Sequence, residues 1–282
     1  MNRIDIYQIV TDRIIEQLEN GVVAWKKPWI NGNAVNWLTQ KPYRGINTLL
    51  LEPGEYATFN QIKEYGGKVK KGEKSHIVVF WKWIEKEVEE TGEIEKFPLL
   101  RYYRVFEVNR QVEGLESRRK EQTFAHDPVE KAEEIIKGYV NCPTYSFKPG
   151  RAYYMPSIDH INVPPMEHFK NVHEYYSTMF HEMAHSTGHK DRLARKTLTS
   201  DVAPFGSEDY SKEELVAEIT AAMLCAVAGI DNSTIENSAS YIQSWLRRLK
   251  DDKRLIVSAS SLAQRAADYI LGKDWTEEYA ML

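Results

Sequence analysis

Cysteine is nearly absent: Cys142 and Cys225 are the only two in 282 residues. A small secreted domain stapled by disulfides needs more, and no cysteine pair has zinc-ribbon spacing. Both are expected to be buried thiols, not catalytic groups. No run of about 18 apolar residues occurs, so no membrane partner is expected. The first twenty residues carry charges throughout and lack the apolar core of a signal peptide, so a soluble cytoplasmic protein is expected. Internal repeats and low-complexity tracts are also missing. Net charge is small at −4, which gives no global sign of nucleic-acid binding. It hides an asymmetry. Residues 1–82 hold 12 Lys and Arg against 8 Asp and Glu, and the remainder holds 25 against 33. A mildly basic head precedes an acidic body, and a polyanion would meet the head.

With 42% apolar and 28% charged residues the chain can bury a core, and its length suggests two domains. Ile6, Ile9, Val10, Ile14 and Leu18 recur at mostly helical spacing before Gly21, predicting a helix over 3–20. Residues 22–75 carry Gly, Pro and Asn at short intervals, so short elements and loops are expected. Segments 76–87 and 99–108, rich in β-branched and aromatic residues, predict an antiparallel hairpin. Residues 111–122 have no apolar face and suggest a linker or exposed arm. Asp127-Pro128 is a helix-start signal and opens a helix over 128–140. Residues 144–163 predict short strands around Pro149-Gly150 and Pro156-Ser157. Further helices are expected over 170–187, 211–229, 234–250 and 252–271. The fold class is therefore α+β: a mixed α/β head over 1–125 and a helix-rich domain over 126–282.

The sharpest feature is His181-Glu182-Met183-Ala184-His185. Two histidines four apart share a helix face and can bind one Zn²⁺ through imidazole nitrogens. Glu182 would then be the catalytic residue, taking a proton from a bound water. Random placement of 8 His and 29 Glu would produce this pattern only about 0.02 times per chain. Zinc, or another divalent ion such as Mn²⁺, needs a third protein ligand. Glu214 and Glu218 lie four apart on a helix, and Asp191 follows Gly188 at a metzincin-like spacing. The acid pair resembles that of gluzincins, in which the first acid binds metal, and a helix positions a carboxylate more rigidly than a loop does, so Glu214 is favoured over Glu218 and Asp191. Ser211-x-x-Glu214 also reads as a capping box, in which Glu214 would only close its helix. Tyr210 and Arg192 are candidates to steady an oxyanion, and residues 158–163 are the candidate edge strand beside the motif helix.

Five of seven tryptophans, Trp25, Trp29, Trp37, Trp81 and Trp83, fall in the first 83 residues, with lysines interleaved. Cations along a backbone plus aromatic faces for unpaired bases is the chemistry of single-strand binding. Lys68, Lys70, Lys71, Lys74 and Arg44 are the candidate phosphate contacts. Trp29 and Tyr43 are the candidate stacking residues. Trp81 is weaker, because alternating strand tryptophans are commonly core.

Together these strings resemble the ArdC antirestriction family. The resemblance rests on Pro42-Tyr-Arg-Gly-Ile-Asn47, Thr58-Phe-Asn-Gln61, Gly66-Gly-Lys-Val-Lys-Lys-Gly-Glu-Lys74 and Tyr103-Arg-Val-Phe106 in the head. In the second half it rests on Asp159-His-Ile161, the His181–His185 motif with Thr187-Gly188, and Tyr210-Ser-Lys-Glu-Glu-Leu-Val-Ala-Glu218. It implies a single-stranded-DNA-binding N-terminal domain, a zincin-like metallopeptidase domain, and protection of incoming DNA from host restriction. Two rivals stay open. One is a DNA-anchored zinc protease of SprT type acting on DNA-bound proteins, with a host protein as its substrate. The other is a DNA-binding protein whose metal is only structural.

Overall fold

The computed structural model describes residues 5–25, 34–87, 94–119, 128–199, 208–231 and 239–273. Helix α1 spans Ile6–Glu19, and the Asp5 carboxylate accepts from the Gln8 N–H at its start. Its apolar stripe buries Val10, Ile14 and Leu18. Then follow β1 (Ala34–Asn36), α2 (Ile46–Leu50), β2 (Gly54–Thr58), α3 (Phe59–Glu64) and β3 (Lys68–Val69). A capping box between Thr58 and Gln61 fixes the entry to α3. The long hairpin is β4 (His76–Glu87) and β5 (Ile94–Glu107), followed by α4 (Val108–Gln111) and β6 (Val112–Glu113).

Strands β1, β2, β5 and β4 form one sheet in that order, with β1 and β2 parallel and the other pairs antiparallel. Strand β4 is an edge, and Asn47 covers part of it. Its amide donates to the Val79 carbonyl (2.8 Å) and its oxygen accepts from the Val79 N–H (2.7 Å). That satisfies backbone groups an edge would otherwise leave unpaired.

The expected arm after residue 111 is instead packed down as far as it is described. Glu116 O accepts from the Trp37 indole (2.8 Å), the Arg118 guanidinium lies 4.1 Å from the Trp37 ring centre, and Ser117 and Arg118 bond the buried Glu55 carboxylate. The segment is held here by Val112 and Leu115, which join Trp37 and Ile62 in a small apolar cluster, together with hydrogen bonds and a cation–π contact that hydrophobic periodicity does not report.

The second half opens with α5 (Pro128–Gly138). Then come β7 (Thr144–Ser146), β8 (Tyr153–Met155) and β9 (His160–Asn162), followed by α6 (Val172–Ser186) and a short α7 (Lys196–Thr199). Helices α8 (Glu208–Ala228), α9 (Ala239–Asp251) and α10 (Leu255–Ile270) complete it. Gly150 turns the chain between β7 and β8 at φ 118°, where other residues are strained. The sheet order is β7-β9-β8. The expected edge strand over 158–163 is thus corrected: β9 pairs on both sides, and β8 is an edge.

One core joins the two halves. Val10, Ile14 and Leu18 of α1, Trp25, and Val79 and Leu100 of the hairpin pack with Leu215, Val216 and Ile219 of α8. Trp245 of α9 and Ile256 and Ala263 of α10 belong to the same cluster. Trp25 meets Trp245 edge-on at 5.9 Å. A second cluster holds Tyr175, Tyr176, Met179, Phe180 and Met183 of α6 against Leu224, Cys225 and Ala228 of α8. Cys225 is buried as expected, whereas Cys142 is exposed. Among the described residues no helix is long and apolar enough to cross a membrane.

Candidate metal centre

Helix α6 begins at Asn171, whose side chain accepts from the Glu174 N–H (2.9 Å). Its apolar stripe faces the second core, so His181 and His185, four apart, emerge on another side of the same helix. Just past its end the Gly188 Cα is grazed by the returning chain. A Cβ there would lie 2.6 Å from Leu198 and 2.9 Å from Arg195. Glycine therefore lets Arg195 reach the helix end, where it donates to the Ala184 carbonyl (2.8 Å).

Helix α8 supplies the acids. It starts at Glu208, so Ser211 lies inside the helix and is not its cap, and Glu214 is not spent on a capping box. Glu214 instead points at the histidines. Its carboxylate oxygens lie 3.6 Å from His181 Nε2 and 3.6 Å from His185 Nε2, and the two Nε2 atoms are 3.1 Å apart. One ligand atom from each of the three residues falls within 4.8 Å of the others. Ligands at about 2.05 Å in a tetrahedron stand roughly 3.3 Å apart, so this donor set fits a divalent cation. The field fits as well. Burial opposes charge on His181, yet the Glu214 hydrogen bond and the Glu218 and Glu182 carboxylates push its pKa up to about 9. A site that holds a proton this firmly favours positive charge, and a metal dication competes for the same nitrogen.

The other two candidate ligands lie elsewhere. Asp191 is 73% exposed at its side chain and pairs with His189 Nδ1 (3.5 Å). Glu218 acts on His181 only through its charge and is not among the converging donors.

Glu182 is buried beside the histidines. Burial pushes its carboxyl upward, against the pull of His185 and His181. It lines a cavity of about 520 Å³ with His181, His185 and Glu214. Tyr153 and Tyr154 of the β8 edge form one wall, and Tyr210 another. Burial and the Glu214 charge raise the Tyr210 hydroxyl to about 12, so it stays a proton donor at neutral pH. Arg192 is otherwise engaged: it is ion-paired with Asp159 and bonds the Ser186 and Asn141 carbonyls. That removes it as an oxyanion donor.

The residue that sequence reasoning missed is Glu213. Its Oε1 lies 3.3 Å from His185 Nδ1, the nitrogen turned away from the cluster. Both its oxygens bond Arg195, and Thr197 donates to Oε2. Despite burial, the His185 hydrogen bond and the Arg195 charge hold this carboxyl well below the usual range. Glu213 and Arg195 are both buried and together fix the His185 ring. A signal was present, since Glu213 shares helical spacing with Val216, Ala217 and Thr220, all buried. An acid in a buried stripe needs a partner.

The candidate DNA contacts scatter. Lys68, Lys71 and Lys74 are exposed around β3 and the turn after it, while Lys70 folds back so that its Nζ donates to Arg110 O (2.7 Å). Tyr43 is corrected: it is 7% exposed and packs edge-on against Tyr56 (6.2 Å), so no base can stack on it. Arg44 is corrected too. It pairs with the buried Asp268 carboxylate on α10, which takes its charge away from phosphate. Trp81 is half-buried on the first core beside Tyr7 (6.4 Å), on the side of its strand that faces inward. Trp29 lies outside the described residues, as does the side chain of Trp83.

Two family models match the chain: the N-terminal domain of anti-restriction factor ArdC over residues 4–106, and a zincin-like metallopeptidase over 130–262. The metal-free crystal structure of the antirestriction protein ArdC from plasmid R388 is 41% identical, with a TM-score of 0.74 over 98% of each chain. Its Mn(II)-bound structure is 38% identical, with the same score over 95% of this chain and 98% of that one. Protein y4eC of Sinorhizobium fredii is 33% identical over 94% of this chain and 91% of its own length. A DNA primase TraC of Escherichia coli is 35% identical over 94% of this chain. The chain spans only 20% of that primase and 27% of a second one.

Proposed function

Since the chain belongs to the ArdC antirestriction family, we propose that it protects incoming DNA from host restriction in the cytoplasm. In this reading residues 1–125 bind single-stranded DNA and residues 126–282 carry a divalent metal. The observation that carries the metal reading is the convergence of His181, His185 and Glu214 on one point with Glu182 beside it. Two imidazoles and a carboxylate are borderline donors that suit Zn²⁺, and the structure of one relative holds Mn(II). When bound, such an ion supplies Lewis-acid polarisation and lowers the pKa of a coordinated water.

The protein's own groups would do the rest. Glu213 and Arg195 hold His185 in one orientation. Glu182, at its carboxylate, would hold and pass on a proton, and the Tyr210 hydroxyl, hydrogen-bonded to Glu214, would help to orient that carboxylate. Peptide hydrolysis, with a host protein as substrate, is the second reading. It is favoured by the cavity lying against the β8 edge, where an extended chain can pair.

The test scores transfer of unmodified DNA into a restricting host with wild-type protein, His181→Ala and Glu182→Gln, alongside single-strand binding in vitro. Protection by the wild type, with single-strand binding, is the expected result. Loss of protection in Glu182→Gln would assign it to hydrolysis, and its retention to DNA binding. No protection and no binding by the wild type would overturn the proposal.

A further inference from the structure

Strand alternation gives the β4–β5 hairpin two faces. Ile77, Val79 and Trp81, with Leu100 and Tyr102 across the ladder, turn into the core shared with α1 and α8. The opposite face carries Val78, Phe80 and Lys82 on β4, laddered with Tyr103, Arg101 and Leu99 on β5. Near the base of the hairpin Tyr43, Leu51 and Tyr56 cover that face over Val78 and Val105. Among the described residues this cover ends beyond Phe80. Tyr103 is 51% exposed, and Arg101 and Lys82 are exposed.

Each feature alone is ordinary, since single exposed aromatics and cations are common on any surface. Their combination is not. The Tyr103 ring lies 5.8 Å from Phe80, and Phe80 lies 6.2 Å from Tyr43, so an exposed ring is backed by two further rings that hold it in place. Neither Arg101 nor Lys82 forms an ion pair among the described residues. The described ladder positions of this face, from His76 to Lys82 and from Leu99 to Val105, contain no acid. In a chain of net charge −4 this is a locally cationic, ring-bearing sheet face. Flat rings between unpaired cations match a ligand with alternating π-faces and negative charges.

We propose that this face, centred on Tyr103 and Phe80 and flanked by Arg101 and Lys82, is where an unpaired DNA strand stacks. The proposal rests on the single-strand-binding reading above and names its surface. It moves the stacking role from the buried Tyr43 and the core-facing Trp81 to the exposed Tyr103 on the opposite face, with the half-buried Phe80 behind it. Duplex DNA is disfavoured here because its bases present no free π-face.

The experiment uses the full chain and a fluorescently labelled oligo-thymidine, with the matching duplex as comparison, read by anisotropy across a salt series. Tyr103→Ala should weaken single-strand binding about tenfold and duplex binding little. Tyr103→Phe, which keeps the ring, should bind like wild type. The double change Arg101→Ala, Lys82→Ala should flatten the slope of log K against log salt by about 1.4. Photocrosslinking of an oligonucleotide carrying 5-iododeoxyuridine should map to peptides containing Tyr103 or Phe80. If wild type binds single strands while these variants keep its affinity and slope, the face is refuted and the binding reading stands. If wild type binds no single strand, both fall. Equal losses on single strand and duplex would overturn stacking. Loss of protection in cells with DNA binding intact would give the face to a protein partner, which also overturns the proposal.

Discussion

Replacing Glu213 by Gln tests whether the buried acid beside the metal centre orients His185 or merely fills space. The change keeps size and removes the charge that Arg195 faces across a hydrogen-bonded contact. Both side chains are no more than 5% exposed, so solvent cannot replace the lost partner. Breaking one side of a buried pair costs about 3–5 kcal/mol. A chain of this size responds with roughly 2 °C per kcal/mol, so the melting temperature of the metal-free protein should fall by about 6–10 °C. His185 also loses the negative charge of the acceptor on Nδ1, and second partners of this kind are worth about 10–100-fold in metal affinity. The assay is thermal unfolding in chelator, followed by zinc competition against a chromogenic chelator. Glu213→Gln combined with Arg195→Met isolates the effects, since removing both charges should recover part of the stability and leave the zinc defect. A Glu213→Gln protein that melts lower yet binds zinc like wild type would refute the orienting role.

Three other outcomes follow from the same geometry. Glu182→Gln should retain the metal while cutting any peptide turnover by about 10²–10⁴-fold, checked by elemental analysis and a protease assay on one preparation. Free zinc at about 1,000 times its dissociation constant should stabilise the wild type by about 4 kcal/mol in calorimetry and leave His181→Ala unmoved. A fragment ending at residue 125 should fail to unfold cooperatively by circular dichroism, because Val10, Ile14, Leu18 and Trp25 lose the α8–α10 surface that buries them.

The helices were legible wherever apolar residues repeat at helical spacing. Residues 6–19, 172–186 and 255–270 form helices within a few residues of the expected spans. The hairpin was legible in its β-branched and aromatic run. What escaped was partnership across the chain. Arg44 and Asp268 are 224 residues apart, and Glu213 and Arg195 are 18 apart on different elements. Local patterns carry neither. The capping-box reading of Ser211 and Glu214 failed for a local reason: α8 starts three residues earlier, so the motif falls inside the helix. The side of the hairpin that stays open was readable in hindsight. Trp81 shares its register with Val79 and Ile77, an apolar face, whereas Phe80 shares its own with Lys82.

The shared core decides how the two halves can be separated experimentally. Helix α8 meets the histidines of α6 through Glu213 and Glu214, and it also gives Leu215, Val216 and Ile219 to the cluster containing α1. The buried face of the hairpin rests on that same cluster through Val79 and Leu100. Cutting the chain between the halves would therefore expose apolar surface on both pieces. A loss of DNA or metal binding in such pieces would report unfolding and say nothing of either site. Point substitutions avoid this confusion. Tyr103, Arg101 and Lys82 lie on the face of the hairpin turned away from the shared core. Glu182 faces the metal cavity, and its change to Gln conserves shape. Each can be altered with the common core left in place, so a change in one function under such a substitution is a statement about that site.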